Sequence, residues 1–195
     1  GLDSPEGFEE PLWTAWFGDR IHQPGRAWLD ADDIPPGFSQ FHRDHLRKLL
    51  LARGAPRYLA KANSALTRLP ALRAMYPDLR IVIPVRDPVS QVRSLLRQDA
   101  RFCAWSRCDP EIAMHLERTG HFEFGPGKLA TGARNDAEAV RIESGWHGGN
   151  PALGFALHWA ALYGGALRQL HDDPDLRARC LLLPFEALCA EPEAQ

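Results

Sequence analysis

Cysteine and methionine are scarce in this 195-residue chain, at four and two. Four cysteines in a chain of this length make no disulfide framework, and Cys180 and Cys189, which flank an apolar run, read as small hydrophobes. A reducing, cytoplasmic compartment is the expectation. Excess charge of either sign is missing too: 23 Lys and Arg face 25 Asp and Glu, a formal net charge of −2. That balance gives no global electrostatic footprint for nucleic acid or an anionic membrane, so no nucleic-acid partner is expected and any anion site has to be local. No run approaches the ~18 apolar residues of a membrane span. The opening Gly1-Leu2-Asp3-Ser4-Pro5-Glu6 has neither the basic nor the apolar region of a signal peptide. Gly and Pro, by contrast, are plentiful at 16 each, which predicts substantial loop. With 45% hydrophobic and 25% charged residues the chain is ordinary globular material, long enough for one sizeable core.

Periodicity and breakers predict the elements. Residues 3–17 begin with a capping pattern and end in apolar bulk, a short helix; residues 18–40 read as loop, punctuated by Pro24-Gly25 and Pro35-Pro36-Gly37. Phe41 to Arg53 is an amphipathic helix stopped by Gly54. A short strand is expected at Tyr58-Leu59-Ala60 and a helix from about Thr67 to Met75. Ile81-Val82-Ile83-Pro84-Val85 is a continuous apolar run, the pattern of a strand covered on both faces. Asp87-Pro88 reads as N-cap and first position of a helix reaching about Gln98, and Asn150-Pro151 opens the longest helix, roughly 151–171. Cys180 to Phe185 is a second apolar strand. Strand alternating with helix defines an α/β class with a parallel sheet flanked by helices. Pro84 and Pro184 sit awkwardly in those strands, which requires the ladder to end or bulge there. Residues 100–150 break the alternation and read as an insertion over the sheet edge, with a little helix near 110–118, inside a single domain spanning 1–195.

Chemistry concentrates where the first apolar strand meets its helix, in Val85-Arg86-Asp87-Pro88-Val89-Ser90-Gln91-Val92-Arg93-Ser94. Ligands of open α/β sheets bind at the carboxyl ends of strands, and a helix N-terminus offers N–H groups and a positive dipole to anions. Arg86 would add a planar fork suited to phosphate, with Ser90 and Ser94 on the face of the helix tip. The competing reading pairs Arg86 with a carboxylate and turns the serines to solvent.

Taken with its surroundings, this segment resembles a known family. Tyr58-Leu59-Ala60-Lys61-Ala62-Asn63-Ser64, the run from Leu72 through Tyr76-Pro77 to Arg86-Asp87-Pro88, and Ser94 are similar to the middle of a sulfotransferase that uses 3'-phosphoadenosine 5'-phosphosulfate (PAPS). Trp159 to Tyr163 and Leu183-Pro184-Phe185-Glu186-Ala187-Leu188, followed by Glu191-Pro192, resemble later elements of that family. The resemblance covers roughly residues 41–195 without the insertion, and implies a P-loop NTPase-like sulfotransferase core. It implies that Arg86 and Ser94 bind the nucleotide's 3'-phosphate, that Lys61 assists at the sulfuryl group as a catalytic charge, and that Tyr163 contributes a weaker nucleotide contact. PAPS is then a co-substrate, no metal is needed, and the partner is a small-molecule, carbohydrate or protein acceptor bearing a hydroxyl or amine.

The departures are specific. Nothing in residues 1–57 matches the family's Ser/Thr/Gly-rich 5'-phosphosulfate loop, and its closing basic segment would fall beyond Gln195, so Gly1 is expected to be a cut and the chain a fragment. Asn63 stands where cytosolic members place a His as base, so no base is identified. Glu186, at a strand end, either caps the next helix or serves the site. Three other patterns fail on spacing: His42-Arg43-Asp44-His45-Leu46 as a kinase loop, Gly125-Pro126-Gly127-Lys128-Leu129 as a phosphate loop, and Cys103, Cys108, His115 and His121 as a zinc site. A P-loop nucleotide kinase using ATP and Mg²⁺, or a non-catalytic nucleotide-binding domain, are the alternatives to the sulfotransferase.

Overall fold

The computed structural model of the chain describes residues 9–23 and 25–190. Among these residues the order is α1 (Glu10–Phe17), α2 (Phe38–Arg53), α3 (Leu69–Met75), β1 (Ile81–Val85), α4 (Pro88–Cys108), α5 (Pro110–Arg118), α6 (Asp136–His147), α7 (Pro151–Asp172), α8 (Pro174–Arg177), β2 (Cys180–Pro184) and α9 (Phe185–Ala190). Short 3-10 turns lie at Gly18–His22, Ala31–Asp33 and Asn63–Thr67. The chain is thus mostly helical around one parallel pair of strands, β1 and β2, in register from Ile81↔Cys180 to Val85↔Pro184.

Helix starts are written in the sequence by one device. At Asp87-Pro88, Asp109-Pro110, Asn150-Pro151 and Asp173-Pro174 the Asx side chain accepts a hydrogen bond from a first-turn N–H while Pro takes the next position, where no N–H is needed. α4 outruns its expected end at Gln98 by ten residues because nothing between Gln98 and Asp109 breaks a helix. The expected insertion loop over residues 100–150 is therefore largely helical: the second half of α4, then α5, then α6. Asn135 caps α6 by accepting from Glu138 N at 2.9 Å while Glu138 accepts from Arg134 N at 2.8 Å, an Asn-x-x-Glu form of the capping box.

Three apolar clusters hold these elements. Trp13, Ile21, Leu29, Phe38, Ala71 and Met75 join α1, α2 and α3. Leu69, Ile83, Ala166, Leu170, Leu176 and Cys180 pack one sheet face on α3, α7 and α8. Ala139, Ile142, Trp146 and Phe155 lock α6 to α7, with Val92, Leu95 and Leu96 of α4 against them. The α6–α7 crossing is backbone on backbone, since a Cβ on Gly145 would lie 2.6 Å from Gly154 N.

Other expectations need correction. Residues 3–8 of the first expected helix lie outside the described residues. α2 begins at Phe38, three residues early, because Gly37 in the left-handed region (φ 85°) already ends the turn before it. Tyr58-Leu59-Ala60 is extended but forms no strand; only Lys61 makes an isolated bridge, and Leu59 is 90% exposed. Two apolar side chains followed by Ala-Lys-Ala give that segment too little to bury. β1 is covered on one face only, with Val82 and Leu181 more than half exposed on the other. The prolines neither end nor bulge the ladder, because in a two-stranded sheet each strand is an edge that tolerates a missing N–H.

Candidate functional site

At the carboxyl end of β1 the backbone turns through Arg86 into α4. The Arg86 guanidinium lies 5.3 Å from the centre of the Phe185 ring at the end of β2, and makes no ion pair or hydrogen bond among the described residues. Its charge reaches the neighbouring Asp87 carboxyl, but no carboxylate among the described residues pairs with it directly, so the donor fork remains available. The helix tip itself is differently disposed. Asp87 Oδ1 accepts from Ser90 N at 2.8 Å, and Glu186 Oε1 accepts from Asp87 N at 3.0 Å. Backbone and side-chain bonds from Ser90 hold the Asp87 carboxyl below its ordinary range, with Arg86 and Arg93 adding in the same direction. Glu186 therefore ties the two strand ends together instead of capping its own helix. Ser94, half-buried, lies seven residues beyond the N-cap, about 10 Å along the axis. The Tyr163 hydroxyl donates to Pro84 O at 3.1 Å, satisfying an outward carbonyl at the sheet edge. Its ring packs on Trp159, 4.8 Å between centres.

Lys61 is exposed, and the turn it leads into carries a polar cluster that reaches α1 and loop 119–124. Asn63 Nδ2 donates to Glu123 Oε1 at 2.7 Å, and the same oxygen accepts from His121 Nδ1 at 3.2 Å. Beneath them, Ser64 Oγ donates to Glu10 Oε2 at 2.7 Å. Arg68, its side chain 3% exposed, grips Glu10 with both amines, Nη1 to Oε2 at 2.8 Å and Nη2 to Oε1 at 2.6 Å. Its guanidinium also stacks 4.6 Å over Trp13. His22 Nε2 stands 3.6 Å from Glu10 Oε1, and its ring lies 4.4 Å from that of Phe122. Loop 119–124 thereby lies across α1 and the Asn63–Thr67 turn. Leu66 of that turn packs into the apolar cluster shared by α3, α7 and the sheet, which places the turn beside α7.

Burial divides the two neighbouring glutamates. It would raise Glu10, but bonds from His22 and Arg68, the Arg68 charge and the Ser64 hydroxyl pull it down to about 2. Glu9, whose buried Oε1 has no hydrogen-bond partner, is pushed up to about 7 by burial and by the Glu10 charge. Burial also takes His42 and His158 down to about 4, so both rings are neutral at pH 7. His42 Nδ1 meets the Tyr76 hydroxyl at 2.5 Å, and His158 Nε2 accepts from Gly132 N at 3.2 Å.

Two of the patterns that failed on spacing have their residues engaged in structural contacts. His42 and Arg43 face Tyr76 and the Met75 carbonyl. Lys128 is held by Asp99 at 3.0 Å, which also accepts from Gly125 N, so that loop is stapled to α4. No group of three or more His, Cys, Asp or Glu suited to a metal gathers among the described residues. Sequence reasoning missed Glu10, Arg68 and His22, whose partners are not sequence neighbours, and weighed His121 only as a zinc ligand although Glu123 stands two residues on. Compared with protein-family models, with curated proteins and with solved structures, the chain matches none.

Proposed function

We propose that the chain binds a 3'-phosphoadenosine nucleotide at the carboxyl end of β1 and acts as a PAPS-dependent sulfotransferase on a hydroxyl or amine acceptor, with a P-loop-like core. The observation that carries this reading is Arg86: an arginine at a strand end, steadied on Phe185 and without a carboxylate of its own. Ser94, one face of α4 further on, supplies a hydroxyl donor, and the two hold the 3'-phosphate through side chains because Asp87 already occupies the Ser90 N–H. PAPS supplies the sulfuryl group. Lys61 provides a positive charge for oxygens that gain negative charge during transfer, the kind of stabilisation on which such transfers depend. Tyr163 acts through Pro84 by fixing the strand end rather than as a phosphate donor. α4 and α5 together with loop 119–135 form the acceptor side.

Calorimetric titration with adenosine 3',5'-bisphosphate, beside ATP with Mg²⁺, tests the proposal. The bisphosphate is expected to bind, and Arg86→Ala to weaken it about tenfold or more, the loss of a charge-assisted hydrogen bond. Preference for ATP with Mg²⁺ would move the protein to the kinase class. Bisphosphate binding without sulfuryl transfer would make it a non-catalytic nucleotide-binding domain.

A further inference from the structure

With 23 Lys and Arg against 25 Asp and Glu, a surplus of positive charge in this chain has to be local. One lies between α6 and α7. Away from the Gly145–Gly154 crossing the two helices leave a cavity of about 120 Å³. Three arginines line it: Arg134 just ahead of the α6 cap, Arg141 within α6, and Arg168 near the end of α7. Glu138 is the one acid among the lining residues, so three positive charges face one negative and leave an excess of two. Glu138 is also already engaged. Its Oε2 accepts from Arg134 N at 2.8 Å and lies 3.6 Å from Arg134 Nε. Arg141 and Arg168, both exposed, make no hydrogen bond or ion pair among the described residues.

The arrangement follows from helix geometry. Long side chains lean toward the N-terminus of their helix, and Arg168 does so over Gly164, one turn back. A Cβ on Gly164 would lie 3.6 Å from Arg168 Nη1 and 3.8 Å from Nη2, so the guanidinium lies along α7. The floor of the cavity is apolar, with buried Ile142 and Ala161 beside Leu157. At about 100° per residue, Leu157, Ala161 and Arg168 share one face of α7, while Tyr163, which reaches Pro84 O, lies on another. The cavity is therefore distinct from the strand-end site around Arg86.

We propose that this cavity binds the phosphate monoester of a small organic molecule, with Arg141 and Arg168 on the phosphate, Arg134 completing the positive rim, and the organic group over Ile142 and Ala161. A phosphate monoester carries about −1.5 to −2 at neutral pH, which matches the excess of two, and planar guanidinium forks pair with its oxygens two at a time. A sulfate ester or a carboxylate brings a single charge. Inorganic phosphate matches the charge but sets a polar oxygen on the apolar floor, where an ester sets carbon. The inference is independent of the nucleotide reading, which concerns the β1 end.

Calorimetric titration of the chain at pH 7.5 with phenyl phosphate, phenyl sulfate and inorganic phosphate tests it. Phenyl phosphate is expected to bind about tenfold tighter than either of the others, and to approach phenyl sulfate at pH 5, where the phosphate keeps one charge. Arg141→Gln and Arg168→Gln should each weaken it about tenfold or more, the loss of charge-assisted hydrogen bonds. Arg168→Lys keeps the charge without the fork and should recover part of that loss. Arg86→Ala should leave the affinity within about twofold of wild type. No binding of phenyl phosphate, equal affinity for phenyl sulfate or inorganic phosphate, or an affinity indifferent to Arg141 and Arg168 overturns the assignment. Binding that Arg86→Ala abolishes overturns it too, by placing the phosphate at the strand end, and leaves the nucleotide reading standing.

Discussion

Arg68→Met is the perturbation that most directly probes how the N-terminal elements are held to the rest. Met keeps much of the side-chain volume and its stack on Trp13 but removes two hydrogen bonds and the charge from a carboxylate that is 11% exposed. Removing one partner of a buried pair leaves an uncompensated charge, at a cost of about 3–5 kcal/mol. In a chain of this size that corresponds to roughly 10 °C in Tm. The pH dependence supplies an independent signature. In the wild type Glu10 sits near 2 against 4.5 for the free side chain, so its contribution is present above 4.5 and is lost as pH falls toward 2. That interval of two to three units amounts to about 3 kcal/mol. In Arg68→Met the burial that already acts most strongly on Glu10 is opposed only by His22 and Ser64, so its pKa rises and the loss of stability on acidification becomes shallower. Urea denaturation at pH 3, 5 and 7 reads both effects. A loss under about 1 kcal/mol at pH 7, or an acid limb identical to wild type, would refute the account of Glu10 as a carboxylate kept ionised by Arg68.

Glu9→Gln tests the opposite case. With its pKa raised to about 7, Glu9 favours the fold most below 4.5, and that contribution is lost as pH rises through 7, about 3 kcal/mol at most. The Gln variant is expected to be more stable than wild type at pH 8 and to differ little at pH 4, compared by urea midpoints. Its remaining dependence between pH 6.5 and 4 comes from His42 and His158, neutral in the fold, whose contribution is lost as pH falls through that interval. Gly165→Ala drives a methyl into the Trp28 indole, which rests on α7 and donates to Gly132 O at 3.2 Å. A cost of about 1–3 kcal/mol is expected in chemical denaturation, and a neutral result would show that Trp28 does not rest on α7 there.

What could be read from the sequence was local. Asp87-Pro88 and Asn150-Pro151 each announced a helix, and the same rule applied to Asp173-Pro174 finds α8 as well. Asn135 with Glu138 would have found α6 inside a stretch otherwise taken for loop because of its many Gly and His. The apolar runs at residues 81–85 and 180–184 gave both strands, but a run alone does not say how many faces are covered; Val82 and Leu181 show that here it is one. Lys61 was expected at the end of a strand, and the segment before it is extended but unpaired. The place of Arg86, between β1 and the cap of α4, was legible because strand, arginine and helix cap are contiguous. Glu10 with Arg68 and Asn63 with Glu123 were not, since 58 and 60 residues separate the partners and only the fold brings them together.

The two polar centres answer to different electrostatics, and this bears on how an anion is recognised. At the β1 end the helix dipole is largely offset by the Asp87 carboxylate and by Glu186 on the Asp87 N–H. Under the proposed nucleotide reading, an incoming phosphate would meet two negative groups at the tip and recognition would fall to Arg86, with Arg93 near enough to influence Asp87. Around Lys61 the balance differs: Glu10 is matched by Arg68 within the protein, which leaves its field spent on an internal partner and little of it directed outward. The Glu10–Arg68 pair, with Ser64 on the same carboxylate, holds the Asn63–Thr67 turn to α1, so the substitution that breaks the pair also tests what keeps the segment after Lys61 in place.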